Sequence, residues 1–211
     1  MNMKKISFLI PVLVIATISM YCGKAPEAPK AETGAEAITA EPKGTPTSIN
    51  IEKSMVKWIG TKVTGQHNGT IKISGGNIYL DGNTLTGGKF TMNMASLDNA
   101  DLTGEYKEKL VGHLKSDEFF DVAKYPTAEF VITNIGEVGA DGKTEITGNL
   151  KIKDITNSIK FPAKITFDSN KKPVAALANF NINRQLWKIT YPGKPDDLIK
   201  DEINLDLNIS L

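Results

Sequence analysis

Ile203-Asn204-Leu205-Asp206-Leu207-Asn208-Ile209-Ser210-Leu211 alternates apolar and polar residues without a break. Successive side chains of a β-strand leave on opposite faces, so this run has one oily face and one wet face. Wound as a helix, the same five apolar residues would fall on both sides of the cylinder. The stretch is a strand with one buried face.

The same period of two recurs upstream, in Lys89-Phe90-Thr91-Met92-Asn93-Met94, Gly148-Asn149-Leu150-Lys151-Ile152-Lys153, Ile159 through Phe167, and Asn179-Phe180-Asn181-Ile182. Shorter strands are expected at Met55–Lys62, Thr70–Ser74, Asn77–Leu80 and Glu129–Glu137. Between these runs lie Gly75-Gly76, Asp81-Gly82-Asn83, Asp141-Gly142 and Asn170-Lys171-Lys172-Pro173, all turn chemistry. Short connections imply antiparallel neighbours, because parallel strands need long crossovers. About eight such strands predict an all-β, antiparallel fold, either an up-and-down barrel or a sandwich.

One region leaves the pattern. Tyr106, Leu110 and Leu114 are spaced four apart, the stripe of a short helix over roughly Thr103–Leu114. Ser116 then suits the N-cap of a further turn, with Asp117 and Glu118 at its positive end. Phe119 and Phe120 follow, and Tyr125-Pro126 leads back into a strand. Such a connection predicts a plug or lid across one barrel end.

The first 48 residues read differently. Lys4 and Lys5 precede an apolar run, Ile6 to Tyr21, which predicts a secretory signal over residues 1–21. The run is short for a membrane span, which needs about 20 apolar residues. Cys22 is the single cysteine, so neither an intrachain disulfide nor a cysteine metal cluster can form. Standing where the apolar run ends, it resembles the lipidation cysteine of bacterial lipoproteins, although Tyr21 occupies the place of the usual small residue. Residues 22–48, rich in Ala, Pro, Glu, Lys and Thr, lack apolar periodicity and predict a disordered tether of roughly 30 Å. The expected location is the periplasm or cell envelope, tethered to a membrane.

Formal net charge is +1, and removal of Lys4 and Lys5 leaves about −1. That balance argues against a general nucleic-acid partner, whose phosphates demand accumulated Lys and Arg. A membrane-spanning barrel would put its apolar face outward between aromatic girdles. Here the polar face is dense in Lys, Asp and Glu, and girdles are missing from the strands.

The segment Gly112-His113-Leu114-Lys115-Ser116-Asp117-Glu118-Phe119-Phe120-Asp121-Val122-Ala123-Lys124-Tyr125-Pro126-Thr127-Ala128-Glu129-Phe130 resembles the signature of the YceI-like family of polyisoprenoid-binding proteins. Trp58-Ile59-Gly60, Gln66-His67-Asn68-Gly69-Thr70, Asn183-Arg184-Gln185-Leu186-Trp187 and Asp201-Glu202-Ile203-Asn204-Leu205-Asp206-Leu207 fit it in order, so the likeness covers residues 49–211. It implies a lipocalin-like barrel holding an isoprenoid or fatty-acyl chain, in an exported protein. Gln185-Leu186 and Lys188 depart from the residues common in the family around Trp187, which bears on head-group preference.

Phe90, Met92, Met94, Phe130, Ile132, Leu150, Ile152, Phe161, Ile165, Phe180 and Ile182 are the candidates for an inward, ligand-lining wall. The competing reading is a dry core, since eight strands leave room for side chains or for one small ligand. Arg184 and Trp187 are the candidates at the barrel end. Arg184 suits either a phosphate or carboxylate head group, or a clamp stacked on Trp187 and paired with Asp117 or Asp121; the clamp is favoured.

His67 and His113 lie too far apart in sequence, without ligand-spaced neighbours, to predict a metal, and structural hydrogen bonds suit them better. No nucleophile elbow or phosphate loop is present. The expectation is a carrier with no cofactor and no catalysis, leaving a homodimer open. The rival readings are a lipid hydrolase or isomerase, and a structural surface module with a packed core.

Overall fold

The computed structural model describes residues 25–211. The signal segment over residues 1–21 and the lipidation site Cys22 therefore lie outside the described residues. Among the described residues eleven strands form, with one α-helix and one 3₁₀ turn: β1 Glu32–Ala35, β2 Thr45–Ser48, β3 Met55–Lys62, β4 Gly65–Asp81, β5 Thr84–Asn99, α1 Gly104–Lys115, β6 Thr127–Ile135, β7 Lys143–Ile152, β8 Ile155–Phe167, β9 Pro173–Asn183, the 3₁₀ turn Arg184–Trp187, β10 Gly193–Lys194 and β11 Asp197–Ser210.

Eight of these close a barrel in the order β3-β4-β5-β6-β7-β8-β9-β11, with β11 returning to β3. Every neighbour in it is antiparallel, as the short connections require. The period-2 runs turn their apolar members to the axis, including Phe90, Met92, Met94, Leu150, Ile152, Phe161, Phe180 and Ile182, all buried. That polarity is opposite to a membrane-spanning barrel.

Three local expectations change. Gly75-Gly76 is no turn: the runs Thr70–Ser74 and Asn77–Leu80 fuse into β4, with the β4–β5 register shifting between Ile73 and Gly75. Glycines inside a strand mark such bulges, where a long strand must coil around a barrel. Ser116 does not open a further turn of helix. It closes α1, its hydroxyl donating to His113 O at 2.8 Å, and a chain of turns follows. Tyr106, expected on the apolar stripe of α1, points to solvent at 76% exposure, while Leu110 and Leu114 face the barrel.

The largest change concerns residues 25–48, expected as a disordered tether. β8 and β9 pair only over Lys164–Phe167 and then splay apart. The N-terminal segment lies in that split. β1 pairs with β8 from Glu32↔Lys160 to Ala35↔Asn157. On the other side Ala31 N donates to Asn181 O at 2.9 Å, and Asn181 N donates to Pro29 O at 2.8 Å. Asn149, on the outer face of β7, holds Ala37 through both its amide oxygen and its amide nitrogen, at 2.9 and 2.8 Å. β2 pairs with the far half of β4, beyond the point where β3 begins opposite Lys72.

Low apolar content cannot drive such a segment to fold alone. Here the stabilisation comes from backbone groups of β8 and β9 that would otherwise stay unpaired, each a costly orphan when buried. Deleting residues 25–37 is expected to remove amide exchange protection at Asn181 and along Asn157–Lys160 by at least tenfold. Protection in β3–β7 should persist. Hydrogen exchange read by mass spectrometry checks this, and unchanged rates at Asn181 would contradict the pairing.

Candidate functional site

The barrel axis is hollow. A cavity of about 430 Å³ runs along it, within the size range of small-molecule sites. Phe90, Met92, Met94, Phe130, Ile132, Leu150, Ile152, Phe161, Ile165, Phe180, Ile182, Arg184 and Trp187 all line it, so the structure brings every sequence-derived candidate to one wall. A solid core is not what these residues form.

The wall has an internal order. Phe90, Phe130, Phe161 and Phe180 make a band of rings at successive centroid distances of 6.5, 5.6 and 4.0 Å. Gly148 on β7 lets that band pass, because a Cβ there would sit 2.4 Å from the Phe130 ring. Beyond the candidates, Ile71, Ile73, Ile203, Leu205, Leu207 and Ile209 also line the cavity. The faultless alternation of the last strand was signal enough to name four of these.

One end is closed by the helical insertion and by the chain after β9. His113 meets Tyr191 edge to face at 4.6 Å, and Phe119 lies 5.3 Å from Tyr191. Trp187 is fully buried, and its Nε1 donates to Leu150 O at 3.0 Å. Asn183 caps the 3₁₀ turn by accepting from Gln185 N at 2.9 Å, and Lys188 ends it in the left-handed region at φ 53°.

Arg184 is a clamp in this geometry. Its Nε donates to Lys200 O at 3.1 Å, its Nη1 to Ile189 O, and its Nη2 to Ile199 O at 3.4 Å and Asp201 Oδ1 at 3.2 Å. The carboxylate partner is Asp201 and not the anticipated Asp117 or Asp121. The reason lies in β11, whose pairing with β3 slips between Ile199 and Ile203. That bulge frees carbonyls from the ladder, and a planar five-donor guanidinium collects them. Burial pulls the guanidinium below its ordinary pKa, with Asp201 opposing the shift.

The charged groups nearby are similarly engaged. Lys62 Nζ lies 2.5 Å from Asp197 Oδ2. That contact, with hydrogen bonds from Thr64 N and Oγ1, pulls the Asp197 carboxyl down to about 2. His67 Nδ1 lies 2.8 Å from Asp101 Oδ2, and His113 Nε2 lies 2.8 Å from Glu118 Oε2. Among the described residues no group of three potential metal ligands forms. Three buried polar atoms of cavity-lining residues, Trp58 Nε1, Thr61 Oγ1 and His113 Nε2, have no hydrogen-bond partner among the described residues, the last lying near Glu118 but outside hydrogen-bond geometry.

A family model described as YceI-like domain matches residues 47–211. A UPF0312 protein of Pseudomonas putida is 27% identical over 141 residues, 67% of this chain and 71% of the relative. A UPF0312 protein of Shewanella denitrificans is 31% identical over 88 residues, covering 42% of this chain and 44% of its own. Among solved structures, Burkholderia cenocepacia BcnA matches with a TM-score of 0.64 and 20% identity, over 77% of this chain and 99% of BcnA. At that identity the likeness speaks for the fold.

Proposed function

Since the chain belongs to the YceI-like domain family, whose model spans residues 47–211, we propose that its barrel carries one long apolar molecule and catalyses no reaction. A polyisoprenoid, quinone or fatty-acyl derivative is the class that fits. The observation that carries this reading is the cavity of about 430 Å³, walled almost throughout by apolar side chains.

Affinity for such a guest comes from its tail. Each buried CH₂ contributes about 0.8 kcal/mol, so one five-carbon isoprene unit adds roughly 3–4 kcal/mol. Three or four units suffice for tight binding after the cost of immobilisation. The unbranched side chains of Met92 and Met94 suit a wall that adapts to a slender guest.

The chain's basic start at Lys4 and Lys5, the apolar run and Cys22 support export to the cell envelope with a lipid on Cys22. Labelling of growing cells with an alkyne fatty acid should mark the protein and fail to mark Cys22→Ser. For the carrier reading, native mass spectrometry of purified protein should show one apolar molecule per chain, released by solvent extraction. Protein that is empty and also refuses long-chain probes would overturn it.

A further inference from the structure

β8 and β9 pair with each other only from Lys164↔Leu177 to Phe167↔Pro173. The next residues toward α1, Ala163 and Ala178, both border the cavity, and both also border a groove on the outside of the barrel. Exposed Pro162, Lys164 and Asn179 form the rest of that flank of the groove. The wall is thin there, closed by two alanine methyls. Further toward α1 the gap is filled by residues 29–35, and they are held lightly. β1 makes a short ladder with β8, while β9 receives two backbone bonds, both at Asn181. The ion pairs of the segment, Lys30 with Glu202 and Glu32 with Lys160, lie at the surface, where such pairs contribute little. Ala31 is the one residue of the segment that packs on the core. On the cavity side Phe161 and Phe180, stacked at 4.0 Å, span the same gap.

We propose that the guest enters and leaves the cavity through this flank, with residues 29–35 as a removable strand that shuts it. The proposal rests on the carrier reading and adds the route to it. Neighbouring strands lie about 4.8 Å apart, so withdrawing the inserted strand leaves β8 and β9 roughly 10 Å apart. A slender hydrocarbon passes such a slot once the rings of Phe161 and Phe180 turn aside. The movement uncovers one small apolar side chain, and on the open flank water serves the freed backbone groups. The end under α1 is a poorer entrance. Opening it separates Arg184 from three carbonyls and Trp187 from the Leu150 carbonyl, and both side chains are buried. Buried groups stranded in that way are costly.

A reversible lock tests this. Glu32 and Lys160 stand opposite each other across β1 and β8, with Lys160 Nζ 2.9 Å from Glu32 Oε1. Directly opposed residues have Cα atoms about 4.5–5.5 Å apart, within reach of a disulfide. The full chain carrying Glu32→Cys and Lys160→Cys, with Cys22→Ser so that no other thiol competes, is delipidated. Stopped flow then mixes it with a long-chain polyene fatty acid that fluoresces in apolar surroundings. The oxidised protein, its bridge verified by mass, should take up and release the probe roughly tenfold or more slowly than the same protein reduced. A barrier to passage slows both directions alike, so affinity should agree within about twofold. Asn149→Ala frees Ala37 from both its bonds and lines no part of the cavity. That variant should release the probe roughly threefold faster or more. Equal rates in the oxidised and reduced forms would overturn the doorway and leave the carrier intact. Refusal of the probe in every form would overturn both. Should the bridge fail to form, the Asn149→Ala rate decides, and an unchanged rate overturns the doorway.

Discussion

Replacing Arg184 by alanine is expected to lower the melting temperature by about 10 °C or more. The side chain is 3% exposed and serves the carbonyls of Ile189, Ile199 and Lys200 together with Asp201. Alanine strands those acceptors, and each buried unpaired polar group costs about 1–3 kcal/mol. The Asp201 contact adds little, since that carboxylate is half exposed. A total of about 4 kcal/mol, at roughly 2–4 °C per kcal/mol for a domain of this size, gives the stated shift. Arg184→Lys should fall between, because an ammonium cannot serve the same fork of acceptors. Affinity for an apolar probe per folded molecule should stay unchanged in Arg184→Lys. A selective loss of affinity at unaltered melting temperature would instead assign Arg184 to the guest.

The largest effect on binding should come from Gly60→Phe. Gly60 lines the cavity, and a Cβ there meets nothing nearer than Ile203 Cδ1 at 3.7 Å. A ring can therefore enter the hollow without displacing backbone. It would take the place of about four methylene groups of the guest, at about 0.8 kcal/mol each, weakening binding by roughly two orders of magnitude. Stability should hold or rise, since the new ring buries apolar surface and a strand glycine is lost. Dye displacement and thermal melting together check this. Full affinity in a well-folded Gly60→Phe protein would mean that the guest does not use this part of the cavity.

Alternation identified the wall: the candidates from Phe90 to Ile182 share one cavity because period 2 is imposed by strand geometry itself. The helix was legible for the same reason, its leucines falling on the barrel side of Gly104–Lys115. Pairings between distant segments were not. Arg184 finds Asp201 through a bulge in β11 that no local pattern announces. Gly75-Gly76 reads as a turn until the curvature of a long β4 is known. Trp58 carried no local mark of an unpartnered N–H, since satisfaction is a property of the packed neighbourhood. The wrapping of residues 29–37 depends on a split between β8 and β9 that exists only once the barrel has closed.

With a lipid on Cys22, as proposed above, that split would have a mechanical consequence. Stitched down at Pro26, whose carbonyl accepts from Asn181 Nδ2 at 3.1 Å, the chain leaves only four residue steps between anchor point and barrel flank. Fully stretched, that leash reaches about 14 Å, well short of the long stalk its composition suggests. A barrel so moored would lie berthed on the bilayer with its β8–β9 side down, and would not swing freely above it.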